Sequence, residues 1–73
     1  MKLTINGQSE RIDKDTLTVV GLLAYKEVSM PDMVSVEHNG IILDRDTFAT
    51  TQVKDGDDIE FLYFMGGGSS DAF

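Results

Sequence analysis

The chain contains no cysteine among its 73 residues. It can therefore form no disulfide, no thiolate metal site and no thiol nucleophile. Basic residues are also scarce, since 6 Lys and Arg stand against 13 Asp and Glu, for a formal net charge of −7 at pH 7. This charge disfavours binding to nucleic-acid phosphates and favours basic protein partners.

Long apolar segments are absent as well. No apolar run approaches the ~20 residues that a membrane-spanning helix needs. The apolar residues at the start of the chain meet Asn6-Gly7 far short of the apolar region of a signal peptide. We therefore expect a soluble cytoplasmic protein with no membrane partner. The length allows one domain at most, with roughly 65 residues for a core.

The first residues alternate as a β-strand does. Residues 2–5 place Leu3 and Ile5 on one face, and Asn6-Gly7 then provides the strongest short signal for a β-hairpin. Residues 9–12 are the predicted returning strand, which is largely polar and therefore exposed.

A single helix is predicted next. Apolar residues recur at three- and four-residue spacing over residues 17–28, which is typical of one packed helical face. Asp15 or Thr16 is the expected N-cap, and Pro31 is expected to end the helix.

The second half again reads as strands and turns. Residues 33–38 alternate, and a second Asn-Gly pair at 39–40 leads to the apolar residues 41–43. Residues 44–49 suit a single helical turn with Phe48 buried. Residues 51–53 are expected to pair briefly before a tight turn at residues 54–58.

The final strand is predicted to have two different faces. Ile59, Phe61 and Tyr63 share one face, whereas Glu60 marks the other face as solvent-exposed. Two apolar residues, Leu62 and Phe64, share that second face, and Met65 follows at the root of the tail. We predict that Leu62, Phe64 and Met65 dock partner proteins; the alternative is that they are core residues or isolated exposed apolar residues.

The order of these elements predicts an α+β fold of the ubiquitin-like β-grasp type. It would have a mixed four- to five-stranded sheet with one main helix packed on one face. One helix cannot cover both faces of such a sheet, so the other face should stay open.

Three consecutive glycines, Gly66, Gly67 and Gly68, follow the final strand. Glycine has no Cβ, so such a segment passes where a side chain would not fit, but ordering it costs more entropy than ordering any other residue. It is either a flexible linker or an arm that threads into the narrow site of another protein. We divide the chain into a β-grasp domain at 1–65 and a flexible tail at 66–73.

The sequence resembles the small sulfur carrier proteins of thiamine biosynthesis, the ThiS family, which share a fold and tail with the molybdopterin-synthase small subunit and ubiquitin. Three stretches carry the resemblance: residues 36–40 with Arg45 beyond them, residues 53–59, and the diglycine Gly67-Gly68.

The resemblance implies a carrier protein and not an enzyme. An ATP-dependent adenylating enzyme of the ThiF type would activate the carboxylate of Gly68, with Gly66 and Gly67 threading into its site. A persulfide sulfur donor would then convert the adenylate to a thiocarboxylate, and a ThiG-type thiazole synthase would take the sulfur. The carrier itself would hold no cofactor.

The chain departs from the family pattern after Gly68, because residues 69–73 follow it. An internal glycine cannot be adenylated, so we expect a tail-trimming protease to remove these residues. Three alternatives remain: a carrier for homocysteine, cysteine or another cofactor, the small subunit of a molybdopterin synthase, and a non-conjugating ubiquitin-like interaction module.

No residues form a catalytic or metal-binding motif. The only histidine, His38, is expected to be structural, since no motif places a catalytic partner for it. Asp44 and Asp46 are expected to cap backbone N–H groups or pair with Arg45, whose role stays open. The acidic residues at 55–60 lack the twelve-residue calcium-loop pattern and suit a solvated turn.

Overall fold

A computed structural model of the protein describes residues 1–63. The predictions that concern residues 64–73, including Phe64, Met65 and the three glycines, lie outside the described residues. The described part contains seven strands and one α-helix. Their bounds are β1 (Lys2–Ile5), β2 (Gln8–Arg11), β3 (Leu17–Thr18), α1 (Val19–Tyr25), β4 (Val34–His38), β5 (Ile41–Ile42), β6 (Gln52–Val53) and β7 (Asp58–Tyr63).

Five of the strands form one mixed sheet in the order β2-β1-β7-β4-β5. The central pair, β1 and β7, is parallel, and the other neighbours are antiparallel. The short strands β3 and β6 form a separate antiparallel pair. The predicted β-grasp architecture, a mixed sheet with one helix, is therefore confirmed.

The core lies between the sheet and α1. The alternation predicted from the sequence holds, because the buried residues of β1, β4 and β7 alternate with less buried ones: Leu3 and Ile5, Val34 and Val36, and Ile59 and Phe61. The buried apolar residues are Leu3, Ile5, Ile12, Val19, Leu22, Leu23, Val34, Val36, Phe48, Val53, Ile59 and Phe61. Within residues 1–63, the opposite face of the sheet carries no helix. No helix among the described residues is long and apolar enough to cross a membrane.

Both Asn-Gly hairpins form as predicted. Asn6 and Gly7 have φ values of 52° and 82°, and Asn39 and Gly40 have values of 52° and 86°. Positive φ at both central residues is the geometry of a type I′ turn, whose twist matches that of the flanking strands. The side chain of Asn6 also accepts a hydrogen bond from the backbone N–H of Phe61 at 2.9 Å, which ties the first hairpin to β7.

The predicted helix start is wrong by two residues. Leu17 and Thr18 pair with Val53 and Gln52 as strand β3, so the helix begins only at Val19. Its N-cap is Thr18, and not Asp15 or Thr16, because the Thr18 hydroxyl accepts a hydrogen bond from the backbone N–H of Gly21 at 3.0 Å.

The helix also ends before the predicted point. Its last residue is Tyr25, and the N–H groups of Glu27 and Val28 bond to the carbonyls of Ala24 and Leu23, each at 3.0 Å. This is a Schellman motif, in which the residue after the C-cap is left-handed, and Glu27 has φ 55°. The motif ends the helix, whereas Pro31 begins a 3₁₀ turn at Pro31–Met33.

The single helical turn predicted over residues 44–49 is confirmed as a 3₁₀ turn at Arg45–Thr47. Phe48, directly after it, is 4% exposed and belongs to the core. The brief pairing expected at residues 51–53 is also present, with β3 as the partner.

Candidate functional site

The strand that leads to the tail occupies the centre of the sheet. β7 lies between β1 and β4 and pairs with β4 along its length, from His38 opposite Ile59 to Val34 opposite Tyr63. Tyr63 is partly buried and packs against the core. The last described residue before the tail is therefore held by the sheet and by packing.

The open face of β7 has the predicted orientation. Ile59 and Phe61 are buried beneath α1, whereas Glu60 and Leu62 are half-buried on the other face. Leu62 lies opposite Ser35 of β4, so it is the apolar residue of this face that is nearest to the end of β7. Docking through Leu62 stays a prediction, and Phe64 and Met65 lie outside the described residues.

Two carboxylates face each other on the same open face. Glu60 lies directly opposite Glu37 of β4, and like charges in this position destabilise a sheet. The ion pairs within residues 1–63, a range that includes every Lys and Arg of the chain, are Lys26–Glu10 and His38–Asp57. Neither of them neutralises Glu37 or Glu60. The open face therefore presents uncompensated negative charge beside Leu62.

The turn before β7 is organised around Asp57. Its carboxylate accepts hydrogen bonds from the backbone N–H of Lys54 at 2.8 Å and from Asn39 at 3.2 Å, and His38 Nε2 lies 2.7 Å from it. Burial alone would raise the pKa of the Asp57 carboxyl, but these hydrogen bonds outweigh it and hold the pKa below its ordinary value. Asp57 thereby joins the turn to the β4–β5 hairpin.

The prediction of a solvated turn is correct for Asp55 and Asp58, which are exposed, and wrong for Asp57, which is partly buried. The signal for this was the distant pair His38-Asn39, whose side chains reach across to it. The contact with Asp57 agrees with a structural role for His38. Within residues 1–63, no three His, Asp or Glu side chains are grouped closely enough to hold a metal ion.

Arg45 does not pair with Asp44 or Asp46, so that expectation is wrong. Its guanidinium donates to the backbone carbonyls of Pro31 at 2.9 Å and Val34 at 2.7 Å, and lies 5.4 Å from the centre of the Phe48 ring. The two aspartates form no side-chain cap of the 3₁₀ turn. Sequence reasoning missed this role because both acceptors are backbone atoms 14 and 11 residues away.

The ThiS family model matches residues 3–68 of this sequence. The chain belongs to the ThiS family. The match ends on the second residue of the Gly67-Gly68 pair, so the last five residues lie beyond it.

Relatives and solved structures of ThiS proteins agree with this assignment. The chain is 35% identical over 66 residues to the sulfur carrier protein ThiS of Bacillus subtilis, a match that covers 90% of this chain and 98% of that protein. The crystal structure of a thiamine biosynthesis protein (ThiS) from Geobacter metallireducens superposes with a TM-score of 0.86 at 49% identity, over 93% of this chain and 100% of that one.

The chain is also similar to part of two longer proteins. It is 42% identical over 72 residues to a thiazole synthase of Paramagnetospirillum magneticum, and 34% identical over 68 residues to one of Magnetococcus marinus. These matches cover 99% and 93% of this ThiS-family chain, which spans only 22% and 20% of the length of those relatives.

Proposed function

We propose that this ThiS-family chain is a sulfur carrier protein in the formation of the thiamine thiazole ring. The observation that carries the proposal is the family match over residues 3–68, which ends at the glycine whose carboxylate the chemistry needs. The 98% coverage of a sulfur carrier protein from Bacillus subtilis supports it as well. In this proposal Gly68 is the reactive residue, once residues 69–73 have been removed.

The chemistry starts from an unreactive group. A carboxylate is a poor electrophile until it carries a good leaving group. In the proposed reaction, the Gly68 carboxylate attacks ATP on a ThiF-type activating enzyme, pyrophosphate leaves, and the adenylate forms. The terminal sulfur of a protein persulfide then attacks the adenylate, AMP leaves, and an acyl disulfide forms. A thiol attacks the donor-side sulfur of this acyl disulfide, which releases the Gly68 thiocarboxylate and leaves a disulfide between the thiol and the donor. The chain contributes no catalytic residue and binds no cofactor, because the activating enzyme uses the ATP.

A ThiG-type thiazole synthase is the proposed acceptor of the sulfur. The support comes from the two relatives named thiazole synthase, each of which contains a segment similar to this chain within one longer polypeptide. Joining a carrier to its acceptor makes their encounter intramolecular and raises the effective concentration to about the millimolar range. Such an arrangement is favourable when the two proteins must meet in every reaction cycle.

The structure supports a carrier role through β7. A partner that draws the tail into a narrow site would pull on a central strand that is paired on both sides. The open face beside this strand offers Leu62 and uncompensated carboxylates to such a partner, which suits an apolar surface with basic residues around it. We propose that the activating enzyme docks on this face through Leu62, Phe64 and Met65.

An adenylation assay tests the proposal. A protein that ends at Gly68 should support ATP–pyrophosphate exchange with the ThiF-type enzyme of its own cell, and the chain that ends at Phe73 should not. Mass spectrometry after addition of a persulfide donor and a reducing thiol should then show replacement of one oxygen by sulfur. Absence of exchange with the protein ending at Gly68 would leave a non-conjugating interaction module. Sulfur transfer to homocysteine or a molybdopterin precursor in place of the thiazole synthase would assign another pathway.

A further inference from the structure

A second surface lies on the helix side of the molecule, away from the open face of the sheet. An apolar groove of about 670 Å³ runs between α1 and the two 3₁₀ turns. Its floor is formed by Leu23, Val28 and Phe48, and the exposed side chain of Val20 forms one edge. We call this surface the helix groove. Its volume lies in the range of sites that bind ligands or side-chain anchors.

Arg45 holds the far wall of the helix groove in place. By donating to the carbonyls of Pro31 and Val34, it links the 3₁₀ turn at 45–47 to the turn at 31–33. Its guanidinium also lies over Phe48, within the range of a cation–π contact. The groove is thus a built feature, with walls fixed by side-chain hydrogen bonds.

The rim of the helix groove is acidic. Glu27, Asp32 and Asp46 line it, and Arg45 is the single cation among the lining residues. None of the three carboxylates forms an ion pair within residues 1–63, a range that includes every Lys and Arg of the chain. Three negative charges against one positive charge leave an excess of two negative charges around an apolar floor.

The backbone conformation of Glu27 is an independent indication that the rim of the helix groove has a function. It is held at φ 55°, in the left-handed position of the Schellman motif where glycine is the usual residue. A residue with a Cβ is strained there, and such strain is often found where the side chain has a function. The side chain that this backbone position presents is one of the carboxylates on the rim.

The position of the groove suits a partner that also handles the tail. Val34 lies opposite Tyr63, the last described residue of β7, and Arg45 bonds to the carbonyl of Val34. Pro31, which lines the groove, is only three residues earlier in the chain. One end of the groove is therefore near Tyr63, the last described residue of β7.

We propose that the helix groove is a docking site for an apolar protein segment flanked by lysine or arginine residues. The apolar side chains of this segment would replace water over Leu23, Val28 and Phe48, and its basic side chains would pair with Glu27, Asp32 and Asp46. Recognition of an amphipathic segment in an apolar groove commonly uses anchors at i, i+3, i+4 and i+7.

The test uses the full chain, labelled with ¹⁵N, and two synthetic peptides of about 12 residues with leucine at these anchor positions. One peptide carries lysine at the remaining positions, and the matched peptide carries glutamate. The lysine peptide should shift the amide resonances of the groove residues in a saturable way. The glutamate peptide should bind at least tenfold more weakly. Raising the salt concentration should weaken binding of the lysine peptide, because salt screens the attraction between exposed charges.

Variants locate the site. Val20→Glu should weaken binding of the lysine peptide at least tenfold, since it places a charge at the apolar edge of the groove. Ile41→Glu is the matched control: it adds the same charge at a residue that is 66% exposed and does not line the groove, and it should leave binding unchanged. Glu27→Gln keeps the backbone strain and removes a rim charge, so it should weaken binding about threefold and reduce the salt dependence.

Several outcomes would overturn the proposal. Equal binding of the two peptides would show that the groove has no charge preference. Shifts centred on Glu37, Glu60 and Leu62 would place the peptide on the open face. Shifts of groove residues that grow with protein concentration alone would mean that the groove binds a second copy of the chain. Each readout is binding, so a failure here is distinct from a failure of adenylation.

Discussion

Replacing Glu27 by glycine should stabilise the protein, although it removes a side chain and adds backbone freedom. Glu27 has φ 55°, and the left-handed conformation costs a residue with a Cβ roughly 1–2 kcal/mol. The Schellman hydrogen bonds from residues 27 and 28 use backbone atoms only, so the substitution preserves them. The carboxylate forms no ion pair within residues 1–63 whose loss would offset the gain.

The size of the effect follows from two opposing contributions. Relief of the left-handed strain contributes roughly 1–2 kcal/mol, and the larger conformational freedom of glycine in the unfolded chain subtracts about 0.4–1 kcal/mol. The midpoints of these two ranges, about 1.5 and 0.7 kcal/mol, give a net stabilisation of about 0.8 kcal/mol. In a domain of this size, 1 kcal/mol corresponds to about 4–8 °C in Tm, so Tm should rise by roughly 3–6 °C.

Thermal unfolding followed by circular dichroism, together with urea unfolding at pH 7, measures this change. Glu27→Ala is the matched control, because it removes the carboxylate and keeps the Cβ, and its stability should lie within about 0.5 kcal/mol of the unsubstituted protein. A lower Tm for Glu27→Gly would refute the assignment of strain to this residue. An equal rise for Glu27→Ala would show that the gain comes from reduced charge repulsion and not from the backbone.

Four further predictions concern the turn, the groove wall, the open face and the tail. Asp57→Ala should cost about 1.5–3 kcal/mol through lost hydrogen bonds to a charged group. The folded pKa of Asp57 is depressed, so the stabilisation by its carboxylate is present above the unfolded pKa of about 3.9 and is lost as pH falls through the folded pKa. The urea midpoint should therefore fall less between pH 7 and pH 3 in Asp57→Ala than in the unsubstituted protein. Parallel pH dependences of the two midpoints would contradict this. Arg45→Lys should lower the free energy of unfolding in urea by about 1–2 kcal/mol, since lysine cannot donate to the carbonyls of Pro31 and Val34 with the geometry of a guanidinium. An unchanged urea midpoint would show that these two hydrogen bonds do not stabilise the fold. Leu62→Glu should weaken calorimetrically measured binding to the activating enzyme at least tenfold with under about 1.5 kcal/mol lost in stability, whereas a collapse of the fold would make Leu62 a core residue. Deletion of Gly68 from a chain ending there should abolish ATP–pyrophosphate exchange and leave Tm unchanged, and a fall of several degrees would mean that the tail is packed.

Features that depend on neighbouring residues were predictable from the sequence. The two hairpins follow from Asn-Gly pairs, because only a few residue types accept positive φ at both turn positions. The alternation in β4 and β7 likewise gave the buried faces, since period two is a local property of a strand. The same alternation placed Leu62 on the open face.

Features that depend on distant residues were not predictable. Leu17 fits the helical pattern, but its backbone pairs with Val53, 36 residues later, and this pairing leaves no local signal. The Schellman motif was not predictable because its left-handed position is occupied by Glu27 and not by glycine, the residue that usually indicates this motif in a sequence. Asp57 looked like a turn residue since its partner His38 lies 19 residues away.

The stretch at residues 53–59, which resembles the sulfur carrier family, has a physical role in holding β7. Asp55 accepts the backbone N–H of Lys2 at 2.7 Å, and Asp57 binds the β4–β5 hairpin, so the start of β7 is fixed to the strands on both sides. A partner that binds the tail then gains its binding energy without loosening β7. Weakening the turn should therefore reduce partner affinity even though Asp57 lies at the opposite end of β7 from the tail. Asp57→Asn, measured by calorimetry against the activating enzyme at a temperature where the variant is fully folded, tests this. An affinity equal to that of the unsubstituted protein would show that the turn acts on folding only.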